Sequence, residues 1–321
     1  MKATGKPRVS IGIMTHNYGR FIASAIDSVL NQEMPDWELI ISDDSSIDDT
    51  ADIVESFLSD PRIRYVRHEE RLGQSGNWSF VLSQGTADRV AVLHADDVWL
   101  PRMLSSALDA FANNPDLEIY AANWRVLRGE ETDPQPNLKI PSSTFTGTQA
   151  YEVNLQGNFL LPSSAVITRS LIQKAGLPLP NLNQFVDFEY ALRLFSYAAY
   201  VRWDAEPAFL YRHHPSNMSW TTPPYVIAKE FELLPSTCAG HPAVEGEYSR
   251  REKQLRFIAG RGIRSLGVKE CLKGRWADGG DLLARAQVIC PPGSMAVKIL
   301  VDRLLCHSGA LGRKVFRRLR R

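Results

Sequence analysis

The chain has 321 residues, a hydrophobic fraction of 44%, a charged fraction of 23% and a formal net charge of +1. That length suits one large soluble domain or a domain with an appendage, and the near-zero charge supplies no general attraction for nucleic acid. There is no run of about 18 apolar residues to span a bilayer, no signal-type apolar start, and no C-x-x-C pair among Cys238, Cys271, Cys290 and Cys306, which disfavours zinc or redox motifs and fits buried thiols in a reducing compartment.

RVSIGIM (8–14) reads as a strand, and YGRFIASAIDSVLNQ (18–32) as a helix with Phe21, Ile22, Ala25, Ile26, Val29 and Leu30 on one stripe. WELIIS (37–42) is a second strand, and SIDDTADIVESFLSD (46–60) a helix with acids in its first turn. IRYVRH (63–68) is a third strand, followed by the helix SGNWSFVLSQG (75–85), closed by a glycine. RVAVLHA (89–95) is the fourth strand, and PRMLSSALDAFANNP (101–115) a helix led by proline. The polar, proline-rich stretch 126–160 reads as a long loop or insertion. A strand and helix follow in 164–176, an amphipathic helix in 183–199, and one or two strands in 199–214. From about 225 the chain is helix-like with breaks at Pro235, Pro242, Gly279-Gly280 and Pro291-Pro292.

Strand and helix alternating at this spacing mean right-handed β-α-β units. The expected fold is α/β: a mainly parallel, Rossmann-like sheet flanked by helices over 1–222, with a helical extension over 223–321. Ligands of such sheets bind outside the carboxyl ends of the strands. That end collects Thr15, His16 and Asn17 after the first strand, Asp43 and Asp44 after the second, and Asp96 and Asp97 after the fourth.

Adjacent carboxylates repel each other and resist burial. A divalent cation removes that cost and takes oxygen ligands that it can share with substrate phosphates. Taken alone, a bare Asp-Asp pair reads first as a solvated acidic turn or a helix cap, and capping is the better reading of Asp48 and Asp49. GIMTHNYGR lacks G-x-G-x-x-G, and no G-x-x-x-x-G-K-[ST] occurs, so the dinucleotide site and the P-loop are disfavoured. A nucleotide held by carboxylates and a metal is the remaining option.

Three segments, VSIGIMTHNYGRFIASAIDSVLNQ, WELIISDDSSIDDT and LGQSGNWSFVLSQGTADRVAVLHADDVWLP, resemble the family 2 glycosyltransferases of the GT-A fold in order and spacing. SSAVITRSLIQKAG, FVDFEYALRL and YRHHPSNMS extend the likeness to about residue 219. The resemblance implies that Thr15, His16 and Asn17 form a nucleotide-contacting turn, with His16 where an aromatic residue is usual. It implies that Asp44, with its neighbour Asp43, reads the base. Asp97 would be the metal ligand, and Asp96 would face the ribose or donor sugar. Asp187 matches the general base, and His214 a histidine that completes the metal or pyrophosphate site. Arg71 and Asn77 would reach the donor phosphates or sugar, or else serve a loop and cap; Arg193 would meet a phosphate or merely Glu189.

The implied activity is inverting transfer of a sugar from a nucleotide-diphosphate sugar, foremost a UDP-sugar, with Mn²⁺ or Mg²⁺ as cofactor. The acceptor would be a glycan, a lipid-linked glycan or a protein, in cell-surface polysaccharide biosynthesis. The expected location is cytoplasmic, or peripheral at the inner membrane face through the basic end RKVFRRLRR; a helix packed on the domain with a basic end is the alternative. Two rival functions are a nucleotidyltransferase on a similar sheet and a non-catalytic sugar-nucleotide-binding scaffold.

Overall fold

The first strand, β1 (Val9–Thr15), is buried along its whole length, the pattern of a parallel strand covered on both faces. Around it a computed structural model, describing residues 6–242, 248–307, 314–316 and 318, folds the chain into two compact units, Met1–Asn217 and Met218–Arg321.

In the first unit β1 is followed by α1 (Gly19–Leu30), β2 (Trp37–Asp43), α2 (Thr50–Glu55), β3 (Ile63–Arg67), α3 (Gly73–Ser83) and β4 (Arg89–His94). Then come β5 (Val98–Trp99), α4 (Met103–Asn113), β6 (Leu117–Arg128), β7 (Glu131–Thr132), β8 (Ser143–Thr146) and α5 (Gly147–Gln156). The unit closes with β9 (Ala165–Thr168), α6 (Arg169–Ala175), α7 (Val186–Tyr197) and β10 (Tyr200–His213). The sheet order is β3-β2-β1-β4-β9-β6-β10-β5, with β7 on β6 and β8 on β10. β1 runs parallel to β2 and β4, and β2 to β3, so four carboxyl ends sit side by side. β9 is antiparallel to both β4 and β6, which makes the sheet mixed.

Close packing of α3 on β1 explains one glycine. A Cβ on Gly12 would lie 2.5 Å from the Val81 Cβ, so a larger residue would push the helix off the strand. On α1 the buried face is Ile22, Ala25, Ile26 and Val29. Phe21, expected on that stripe, instead lies against His214.

Several local expectations need correction. The helix expected over 46–60 shrinks to α2, because Ser46 and Asp48 hydrogen-bond to the backbone N–H groups of Asn17 and Gly19 and so belong to the turn. The proline of PRML precedes α4 instead of leading it. The stretch 126–160, read as a loop, carries the end of β6, β7, β8 and α5. α5 starts with a capping box in which Thr146 and Gln149 satisfy each other's backbone N–H groups. Residues 199–214 form one strand, β10, with register irregularities at Asp204–Pro207 and Pro207–Phe209.

The second unit is helical: α8 (Met218–Thr221), α9 (Pro224–Thr237), α10 (Tyr248–Leu272), α11 (Trp276–Ile289) and α12 (Ser294–His307). Ala228, Ala259, Ile263, Leu282, Ala286 and Ile299 form its main core, and Cys271, Leu283, Cys306 and Phe316 a smaller one. All four cysteines are free and buried. Among the described residues no helix is long and apolar enough to cross a membrane. Most of the basic end singled out in the sequence lies outside the described residues.

Candidate active site

The turn after β1 is held by side chains from the turn after β2. Asn17 adopts a left-handed conformation (φ 57°), donates its backbone N–H to Ser46 Oγ (2.8 Å) and accepts the Ile47 N–H on Oδ1 (2.8 Å). The His16 Nδ1–H donates to the Asp44 carbonyl (2.7 Å), and its Nε2 accepts from the Asn17 amide (3.1 Å). These contacts assign the neutral Nδ1–H tautomer and fix the half-buried ring in the turn. Thr15 is buried, and its hydroxyl has no hydrogen-bond partner among the described residues.

Asp43 is fully buried and accepts from the Ser46 N–H (2.8 Å) and the Tyr65 hydroxyl (2.5 Å), so it braces the turn from inside. Asp44 accepts the backbone N–H groups of Leu72 (2.5 Å) and Gly73 (3.1 Å) at the start of α3. Arg71 lies beside it, with Nε 3.7 Å from Oδ2 and its own side chain exposed. Asn77, buried on α3, donates to the carbonyls of Thr15 (3.4 Å) and Ser42 (3.2 Å) and pins the ends of β1 and β2 together. Its Oδ1 has no partner within the protein.

The two carboxylates after β4 face different groups. Asp97 accepts the Ser163 hydroxyl on Oδ2 (2.6 Å) and the Arg212 N–H on Oδ1 (3.1 Å). Burial, and next the charge of Asp96, hold its carboxyl well above the usual carboxylate range. Asp96 instead lies 3.1 Å from His214 Nε2 and 3.4 Å from the Asn217 amide. His214 Nδ1 faces Ser216 Oγ (2.9 Å) and Arg20 Nη2 (3.3 Å). The arginine can only donate, so Nδ1 accepts and the proton sits on Nε2, toward Asp96. Arg20 also donates to Ser216.

Three residues that sequence reasoning passed over complete this corner. The guanidinium groups of Arg20 and Arg212 lie 4.4 Å and 5.0 Å from the centroid of the Phe21 ring, which puts two cations beside the acidic pair. Arg212 also donates Nε–H to the Asp96 carbonyl (2.7 Å). His94, the last residue of β4, places a ring nitrogen within 4.8 Å of carboxylate oxygens of both Asp96 and Asp97. Burial pushes its imidazole below the ordinary value, toward the neutral form, and its Nε2 has no hydrogen-bond partner among the described residues. The available clue was HADD itself, a potential nitrogen donor two residues before a carboxylate.

Asp187 stands in the first turn of α7. It accepts the Phe188 N–H on Oδ1 (2.7 Å) and the Asn158 amide on Oδ2 (3.1 Å), above an apolar recess that includes Trp78, Val92, Leu161 and Tyr190. One short segment, 158–163, thus touches both Asp187 and Asp97. Glu189 is buried and paired with Arg193 (2.8 Å), whose other N–H groups donate to the carbonyls of Ala175 and Leu177. Of the two readings of Arg193, the structure supports the pairing with Glu189.

Comparison with known proteins adds the family. The model described as "Glycosyl transferase family 2" matches residues 10–176, just over half of the chain. The chain belongs to that family. The putative colanic acid biosynthesis glycosyl transferase WcaA of Escherichia coli K12 is 32% identical over 159 residues, 47% of this chain and 55% of that protein. The chain spans about half of WcaA and smaller shares of two other curated relatives, 33% and 18% of their lengths.

Among solved structures, S. aureus TarS 1-349 in complex with UDP-GlcNAc superposes with a TM-score of 0.66 at 15% identity, covering 97% of this chain and 89% of that one. Mannosyltransferase PcManGT from Pyrobaculum calidifontis, in complex with GDP-Man and Mn²⁺, gives a TM-score of 0.55 at 14% identity, covering 98% and 84%. At these identities the likeness is one of fold. This family 2 member has the GT-A-type architecture expected from its sequence, with an antiparallel strand, β9, set between the two parallel parts of the sheet.

Proposed function

We propose that the protein is an inverting, divalent-metal-dependent glycosyltransferase that moves a sugar from a UDP-sugar to a glycan or lipid-linked glycan during assembly of cell-surface polysaccharide. The observation that carries this reading is the group at the end of β4. Two adjacent carboxylates lie with a neutral imidazole whose buried nitrogen has no partner, and Asp97 is forced toward its protonated form. Such a donor set fits Mn²⁺ or Mg²⁺, which replaces the missing positive charge.

The metal assignment shifts by one residue from the sequence expectation. Asp96 belongs both to the group with His94 and Asp97 and to the pair with His214, so we assign it as the principal ligand. Asp97 supplies negative charge while its oxygens hold Ser163 and Arg212 in place. A cation held by Asp96 with His94 and Asp97 would supply positive charge for the leaving diphosphate.

The remaining work falls to the chain's own residues. Arg20 and Arg212 add positive charge on the same side. The turn of Thr15, His16 and Asn17, together with Asp44 and Arg71, forms the nucleotide side. Each Asp44 oxygen keeps a lone pair for a base N–H beyond its bonds to Leu72 and Gly73. Asp187 takes the proton of the acceptor hydroxyl as it attacks, and a single attack opposite the leaving group inverts the anomeric centre.

Calorimetry with UDP and Mn²⁺ tests the assignment. The wild type should bind UDP in an Mn²⁺-dependent manner, and Asp96→Asn should weaken that binding by at least about tenfold, the scale of losing a charged metal ligand. Undiminished Mn²⁺-dependent binding by D96N would remove Asp96 from the site.

A further inference from the structure

The last long helix of the second unit has two apolar faces, and among the described residues only one is covered. At about 100° per residue, Ile299, Asp302 and Cys306 point to one side of α12, and all three are buried. Val297, Leu300, Val301 and Leu304 fall on the opposite side and are 60%, 40%, 42% and 61% exposed. A helix with aliphatic residues on its outer face has surplus apolar surface that its own fold does not cover.

The charges around this stripe are one-sided. Lys298 and Arg303 flank it on the helix. The single acid of α12, Asp302, points inward and pairs with Arg264 at 2.6 Å. Beyond Asp302 the sequence has no acidic residue and carries Arg303, Arg313, Lys314, Arg317, Arg318, Arg320 and Arg321. Phe316 is buried against Trp276, with ring centroids 5.7 Å apart and the planes crossing at 83°, while Lys314, Val315 and Arg318 beside it are exposed. The Phe316 ring therefore ties its described neighbours, Lys314, Val315 and Arg318, to the helical unit.

We propose that the outer face of α12, with Lys298 and Arg303 beside it and the exposed Lys314 and Arg318 beyond it in sequence, docks on an anionic lipid surface. The four aliphatic side chains enter the boundary between headgroups and acyl chains, and the flanking Lys and Arg side chains reach the phosphates. A basic cluster next to an apolar stripe complements anionic lipid, and two weak attachments together give stable peripheral binding where either alone is marginal. None of these residues is among those assigned to sugar transfer, so the proposal stands or falls independently of that reading.

The test is sedimentation of the full chain with vesicles of phosphatidylglycerol in phosphatidylcholine, against phosphatidylcholine alone. The chain should sediment with the anionic vesicles, less so as salt rises. The double substitution Leu300→Glu with Leu304→Glu should weaken binding by at least about tenfold without lowering the melting temperature. Leu304→Trp, which keeps an apolar side chain at the site, should give a blue-shifted emission on adding anionic vesicles. Failure to sediment, binding that the double substitution leaves intact, or an unshifted tryptophan each overturns the proposal. So does light scattering showing a dimer of wild type that the double substitution dissolves, since the stripe would then be covered by a second copy.

Discussion

Replacing Asp187 by Asn separates chemistry from binding because the structure predicts a small cost to the fold. The amide oxygen of D187N can still accept the Phe188 N–H. Its new NH₂ would meet the Asn158 NH₂, two donors face to face. Asn158, however, has an Oδ1 without a partner within the protein, so a flip of its amide turns the clash into a hydrogen bond. This exchange with Asn158 should itself cost no more than about 1 kcal/mol, the scale of one hydrogen bond. Loss of a general base costs about 10²- to 10⁴-fold in rate, equivalent to about 3–5 kcal/mol on the barrier. UDP release from a UDP-sugar, with water or glycan as acceptor, measures turnover, and calorimetry with UDP and Mn²⁺ measures binding. Turnover should fall by at least about a hundredfold with UDP affinity unchanged. D187N retaining turnover within about tenfold of wild type would refute the base assignment, since no other group was credited with taking the proton.

Two further outcomes follow from the β4 corner. Ser163→Ala removes a hydroxyl that donates to Asp97 and accepts the His94 N–H, so it should cost about 2 kcal/mol and lower the melting temperature by about 4–8 °C, with weaker Mn²⁺-dependent UDP binding; an unchanged melting curve counts against the brace. The second outcome concerns pH. Asp97 has a raised carboxyl pKa in the fold and an ordinary one when unfolded, so above the usual carboxylate range the native chain binds more protons than the unfolded one. Its contribution to stability is present below that range and is lost as pH rises toward the raised native value. A divalent cation offsets the charge, so the gain in melting temperature on adding Mn²⁺ should grow between about pH 5 and about pH 8; an equal gain at both would contradict the coupling.

The parallel half of the sheet was legible because its strands are short runs rich in β-branched and aromatic residues, alternating with helical segments at regular spacing. β6 was not assigned as a strand, and the reason is Asn123. This fully buried polar residue interrupts the apolar pattern, and its side chain acts as a substitute backbone, donating to the Leu138 carbonyl (2.7 Å) and accepting the Leu138 N–H (3.1 Å). α5 was hidden in a proline-rich stretch, although T-G-T-Q carried a capping signature. At the site, the residue types at the strand ends could be read directly, but their directions could not. Which of Asp96 and Asp97 turns inward depends on Ser163 and Arg212, far away in sequence. Asp43 and Asn77 became braces for the same reason: their partners, Tyr65 and the ends of β1 and β2, are visible only once the chain is folded.

The segment 158–163 grips an acidic side chain at either end, through Asn158 and through Ser163. In the proposed reaction, a movement of this segment would reach both Asp187, the proposed proton acceptor, and Asp97, the proposed charge beside the diphosphate. Loading of the sugar donor would then be felt mechanically where the incoming hydroxyl arrives, and a substitution within these six positions could disturb both halves of the reaction at once.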